Sequence, residues 1–203
     1  MAWTDEAREK ALEARRRHWT EDMNVSVHPK FAVQMPETAV KSVIKDIADR
    51  FPIVNAKFQE RLPSIDVQYN EGGYVKRNGN LVARSGGYAI HNEVYLVGNK
   101  LGQTESAGPQ IGRPSVHNDE WKGTLRHELG HVFDNAHGNT LSSDLSNAVF
   151  KARLSPADVV SLRAAKNPQE LFAESFAAYT HPGYKAGQLH PVIEGFMKKR
   201  LGA

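Results

Sequence analysis

The sequence predicts an α+β fold, and three observations carry that prediction. An amphipathic helical segment comes first, over residues 36–51. A region of alternating apolar and polar residues with turn dipeptides follows it, between residues 64 and 98. From about residue 118 the periodicity is helical to the end. Helix, then sheet, then several helices is an α+β order rather than the strict alternation of an α/β chain.

Residues 4–18 read as a polar helix with few apolar anchors, an arm or a partner-binding segment. Residues 19–35 read as irregular. Together, residues 1–35 are expected to form an N-terminal helical arm, and residues 36–203 the main domain. The stretch PETAVKSVIKDIADRF places Val40, Val43, Ile44, Ile47 and Phe51 at helical spacing, with Pro36 near its start. SIDVQY alternates, as a half-buried strand does. YVKRNGNLVAR carries Asn78-Gly79 between two short strand-like runs, a hairpin signal. GGYAIHNEVYLVG gives the longest strand candidate, Tyr88 to Val97, with a turn at His91-Asn92. Residues 98–116 are crowded with Gly, Pro, Ser and Gln and read as a loop. Asn118 or Asp119 is expected to cap a helix ending near Gly138. SDLSNAVFKAR and SPADVVSLRAAK read as two short helices, the second with Ser155 as cap and Pro156 at its first position. NPQELFAESFAAY reads as another, capped by Asn167, and residues 191–201 as the last.

Composition narrows the function classes. The chain has 203 residues, 40% apolar and 24% charged, ordinary values for a globular domain. No run of 18 apolar residues occurs, so no membrane-spanning helix is expected. The opening segment is charged throughout, so no Sec-type leader is expected; the reading is cytoplasmic, or associated with a virion or toxin. The absence of cysteine rules out a disulfide framework and any thiolate nucleophile or ligand. The formal charge of +3 comes partly from Arg15, Arg16, Arg17, Lys198, Lys199 and Arg200. These read as solvated helix faces, not as a nucleic-acid footprint.

The stretch GTLRHELGHVFDNAHGNT carries the chemistry. His127 and His131 are four apart, so on a helix they share a face and can turn ring nitrogens toward one ion. Glu128 lies about 100° round from His127 and reaches a water rather than the same coordination position. Catalytic zinc keeps a position open for water and lowers its pKa to about 7. Glu128 is then the expected general base. Leu125, Leu129, Val132 and Phe133 supply the face that buries this helix.

Two candidates can complete the site. His137 would give an H-E-x-x-H-x-x-G-x-x-H pattern, but Asp134 stands where the sharp turn wants glycine. The other candidate is Glu174, a carboxylate among Leu171, Phe172, Ala173, Phe176 and Ala177 that needs a cation or a donor if it is buried. Glu170 shares a face with it. Its spacing from Asn167 fits a capping box, which makes it the second choice of the two acids. Asp134 reads either as a hydrogen-bond partner of a ligand histidine or as a helix-end residue.

HELGH on one helix followed by ELFAESFA on another resembles the catalytic domain of the anthrax lethal factor family, with the bacterial Pro-Pro endopeptidases in the same group. The resemblance covers residues 85–200. It implies a zincin-like fold: a small twisted sheet with an edge strand above an active-site helix, followed by a helical C-terminal half. It implies a zinc-dependent endopeptidase with one Zn2+ per chain, ligands His127, His131 and Glu174, and Glu128 as base. It also implies that Tyr88, Ala89 and Ile90 belong to an edge strand that receives an extended protein or peptide substrate. The family has a tyrosine seven residues before its glutamate ligand; counted from Glu174, that place holds Asn167. Tyr179, His181, Tyr184 and His190 then stand as candidates for polarising the scissile carbonyl. Two alternatives remain open: a metzincin-like site of three histidines using His137, or a non-catalytic, zinc-stabilised module of a phage or toxin assembly docked through the N-terminal helix.

Overall fold

In a computed structural model, the described residues are Thr4, 19–70, 74–77, 80–84, 86–117 and 120–202. The predicted helix over 4–18 lies outside them, apart from Thr4. Among the described residues there are six strands: β1 (Val25–Val27), β2 (Ser64–Gln68), β3 (Tyr74–Arg77), β4 (Asn80–Arg84), β5 (Gly87–Ile90) and β6 (Glu93–Val97). Six α-helices accompany them: α1 (Glu37–Arg50), α2 (Pro52–Glu60), α3 (Trp121–Ala136), α4 (Thr140–Lys151), α5 (Pro168–Thr180) and α6 (Pro191–Leu201). The fold is α+β. Among the described residues, no helix is long and apolar enough to cross a membrane.

The main sheet has the order β1-β2-β6-β5. β1 runs parallel to β2 and β2 parallel to β6, while β5 pairs antiparallel with β6 and forms one edge. Alternation sets its buried face: Ile65 and Val67 on β2 and Val94 and Leu96 on β6 point into the core. β3 and β4 form a separate antiparallel hairpin, as predicted; its turn residues, Asn78 and Gly79, lie outside the described residues. The β5–β6 turn falls at His91-Asn92, with His91 at φ +51°.

α1 buries Val40, Val43, Ile44 and Ile47 and keeps charged pairs such as Lys41–Glu37 and Arg50–Asp46 on its outer face. It stops at Phe51 because Pro52 follows, and the residue before a proline avoids the helical region. α3 is buried along most of its length. It packs on α5 at very short range: a Cβ at Gly130 would lie 3.0 Å from Ala173 Cα and 3.1 Å from Phe176 Cβ. Phe133 continues this interface against Phe172 and Phe176.

Three expectations need correction. Residues 19–35 are not irregular throughout: β1 is the second edge of the main sheet, and Met23, Phe31 and Met35 are buried in the core. The division at residue 35 therefore cuts through the folded unit. SPADVVSLRAAK forms successive turns rather than a helix. Asp158 accepts bonds from the backbone and hydroxyl of Ser155, a local turn that competes with helix at this segment's start. At α3 the capping position belongs to Glu120, which makes no side-chain cap; Asn118 and Asp119 lie outside the described residues.

The Gly130 contact generates a prediction. Gly130→Val forces α3 and α5 apart, at about 1–3 kcal/mol, which outweighs the gain in helix propensity. For a chain of this size, thermal melts should show a drop of roughly 2–12 °C. An unchanged melting temperature would contradict the close packing.

Candidate metal centre

Two sets of side chains among the described residues can hold a metal ion: His117, His127 and Glu174, all buried, and His127, His131 and Glu170. They meet at one ring. His127 is fully buried on α3 and turns its two nitrogens toward different neighbours.

The Nε2 side faces the second histidine and the first acid. His127 Nε2 lies 3.1 Å from His131 Nε2 and 3.3 Å from Glu170 Oε2, and His131 Nε2 lies 4.0 Å from Glu170 Oε1. Nitrogen ligands about 2.0–2.1 Å from a tetrahedral zinc stand about 3.3 Å apart; the two separations from His127 Nε2 match that spacing, and the His131–Glu170 separation is wider. Asn167 caps α5 by accepting the Glu170 N–H. The Glu170 carboxylate meets Arg163 Nε at 2.6 Å and the histidine pair.

The Nδ1 side faces Glu174 Oε1 at 2.8 Å, and His117 Nε2 lies 3.6 Å from the same oxygen. The other oxygen of Glu174 accepts the Val116 N–H at 2.8 Å and the Ser161 hydroxyl at 2.7 Å. A separation of 2.8 Å is shorter than two ligands of one zinc keep and is typical of hydrogen bonding. The angle of that approach, however, gives neither atom an aligned hydrogen bond.

Electrostatics follows the geometry. Burial pushes the His127 pKa down, but the close contacts with the Glu170 and Glu174 carboxylates outweigh it and hold it at about 9. Burial, then the charge of His127, takes both His131 and His117 down to about 3. Burial favours a neutral Glu174, yet contact with His127 keeps it near 2. Glu170 stays well below the usual carboxylate range, its burial overcome by His127 and Arg163. At Glu128 burial outweighs the nearby charges of His127 and Arg163 and raises the pKa to about 7.

Glu128, His131 and Glu170 line a cleft of ≈ 400 Å³ together with Asn135, Arg163 and residues 87–89 of β5. β5 passes very close to the helix. A Cβ at Gly87 would come within 2.9 Å of Glu128 Oε1, so only glycine allows the approach. The Val97 N–H bonds to Gly86 O, which makes 86 and 97 a hydrogen-bonded pair. By alternation, Ala89, opposite Val94, turns its N–H and C=O away from β6. A second groove, of ≈ 270 Å³, lies among Val149, Leu154, Val159 and Leu171 and has no titratable side chain in its lining.

The predicted residues thus separate. His127, Glu128, His131 and Glu170 come together, with Tyr88 and Ala89 on the cleft wall. Glu174, expected beside both histidines, contacts only the far side of His127. Ile90 is not in the cleft lining. His137 joins neither set: its Nδ1 is 2.8 Å from Phe133 O and its ring packs on Phe133. α3 continues through Asp134 without the break a third histidine requires. Asp134 accepts the Ser142 N–H at the start of α4 and does not orient a ligand histidine. Tyr179 and Tyr184 pack on each other, outside the cleft lining, with Tyr179 also against Phe51. His190 caps α6, and His181 lies near Glu105 and accepts the Gly183 N–H.

Sequence reading missed His117, Ser161 and Arg163. The first two carry no local signal, since loop conformation alone brings them to Glu174. Arg163 had one: it stands seven residues before Glu170, as Asn167 does before Glu174. No protein-family model, curated protein or solved structure matches the chain.

The buried carboxylate can be tested through its donor. Ser161→Ala removes one donor from Glu174 and the acceptor of the Ala164 N–H. Urea unfolding should show a loss of about 1–3 kcal/mol. A change below about 0.5 kcal/mol, the range of ordinary surface substitutions, would contradict the bonding described.

Proposed function

We propose that the chain is a zinc-dependent endopeptidase, of the kind its sequence resembles, with His127, His131 and Glu170 holding the ion and Glu128 as general base. One observation carries the reading: two Nε2 atoms and a carboxylate converge, 3.1 to 4.0 Å apart, at a cleft that also contains Glu128 and the edge strand. A zinc ion held there supplies Lewis acidity toward a carbonyl and a water. Glu128 takes the proton of the attacking water at its carboxylate and returns it to the leaving amine as the peptide bond breaks. Ala89 offers its N–H and C=O to an extended peptide, which adds as a further strand to β5. Glu174 steadies the His127 ring from behind, as outer partners of ligand histidines do.

A second reading rests on the unaligned contact of His127 Nδ1 and Glu174 Oε1: both atoms, with His117, surround an ion in the interior. Such a site has no side open to the cleft and serves stability alone. Zinc titration of variants separates the two readings. His131→Ala and Glu170→Ala should each abolish stoichiometric binding, while His117→Ala should retain it. Glu174→Gln should weaken binding about 10–100-fold. The reverse pattern, with His117 and Glu174 essential and His131 and Glu170 dispensable, would establish the interior site.

The base is tested separately. Glu128→Gln should keep its zinc and cleave an unfolded protein substrate at least about 10²-fold more slowly. Equal cleavage by this variant and the wild type would end the endopeptidase reading.

A further inference from the structure

We propose that Arg163 is the catalytic group that polarises the scissile carbonyl and stabilises its oxyanion; this rests on the endopeptidase reading above.

Tetrahedral addition to a peptide carbonyl puts negative charge on one oxygen, and a preorganised donor must face it. The groups considered from sequence do not meet this need: Tyr179 and Tyr184 are outside the cleft lining, and His181 and His190 serve loops and a helix start. Arg163 lines the cleft beside Glu128, His131 and Glu170. Its Nε donates to Glu170 Oε2 at 2.6 Å. That bond uses one of five guanidinium donors and fixes the plane of the group. Among the described residues, neither Nη nitrogen has a hydrogen-bond partner. The side chain retains 26% of its exposure and lines the cleft.

The backbone that carries it is held rigidly. The Arg163 N–H donates to Pro114 O and the Leu162 N–H to Arg113 O, while the neighbouring Ser161 is fixed on Glu174. A donor mounted this way needs no rearrangement as charge develops, the condition under which it is most effective. Among the described residues, the cleft wall holds two further polar side chains besides the proposed ligands, the base and Arg163: the Asn135 amide and the Tyr88 phenol.

The test compares Arg163→Lys and Arg163→Met with the wild type and with Asn135→Ala. Chelator competition gives zinc affinity, steady-state kinetics gives kcat and KM, and calorimetry gives affinity for a phosphinic peptide built on the mapped cleavage site. That peptide carries a tetrahedral oxyanion. The expected result for Arg163→Met is a kcat lower by about 10²–10³, a nearly unchanged KM, and a comparable loss of phosphinic-peptide affinity. Zinc affinity should stay within about tenfold, the lower bound for loss of a ligand's partner. Three results would overturn the proposal: kcat close to wild type, a loss of activity matched by loss of zinc, or the kcat loss appearing in Asn135→Ala instead. A KM effect confined to peptides with a free C-terminal carboxylate, absent when they are amidated, would also overturn it and make Arg163 a carboxylate anchor. If the wild type shows no zinc-dependent cleavage at all, the endopeptidase reading fails and the role of Arg163 falls with it.

Discussion

A carboxylate with no access to solvent must be met by donors or by positive charge, and Glu174 is met by three separate parts of the chain. Val116 comes from the loop before α3, Ser161 from the turns before α5, and His127 from α3 itself. Leaving any of these out would strand charge in the interior, at a cost comparable to a large part of a domain's stability. The two irregular segments therefore take defined paths although neither forms a helix or strand. Through them the same carboxylate fixes the place of Arg163, two residues after Ser161, and the orientation of the His127 ring.

The second constraint is steric. Gly130 lies between the two histidines in sequence and lets α5 come to contact distance of the α3 backbone. Along α5, Glu170 and Glu174 are one turn apart on the same face. At this separation of the helices, the earlier acid reaches the Nε2 side of the pair and the later acid the Nδ1 side. Gly87 does the same on the other wall, bringing β5 against Glu128. The cleft is thus formed by two close backbone approaches, each possible because a side chain is missing.

Much of this was legible in the sequence. Period and capping signals located α1, α5 and α6, the Asn-Gly dipeptide located the β3–β4 hairpin, and the pattern His127-Glu128-x-x-His131 located one wall of the cleft. Other features could not be read because they depend on contacts distant in sequence. β1 has three residues and exists by pairing with β2, some forty residues away. The segment 155–166 has helical composition, but Ser161 and Arg163 are needed elsewhere, and tertiary bonding overrides propensity. The two acids of α5 could be placed on one face, and capping placed Glu174 ahead of Glu170, but which acid meets which histidine depends on where α3 crosses. A capping-box reading assigned Glu170 to the helix start; only the Asn167 half of that box forms, and the freed carboxylate turns to the histidines.

The central claim is that His127 serves an ion with Nε2 and is held through Nδ1. Anomalous diffraction at the zinc edge from crystals of the zinc-loaded wild-type protein tests it directly. A single peak is expected within about 2.0–2.2 Å of His127 Nε2, His131 Nε2 and a Glu170 oxygen, on the side of the cleft that holds Glu128. A peak between His117, His127 Nδ1 and Glu174 would contradict it.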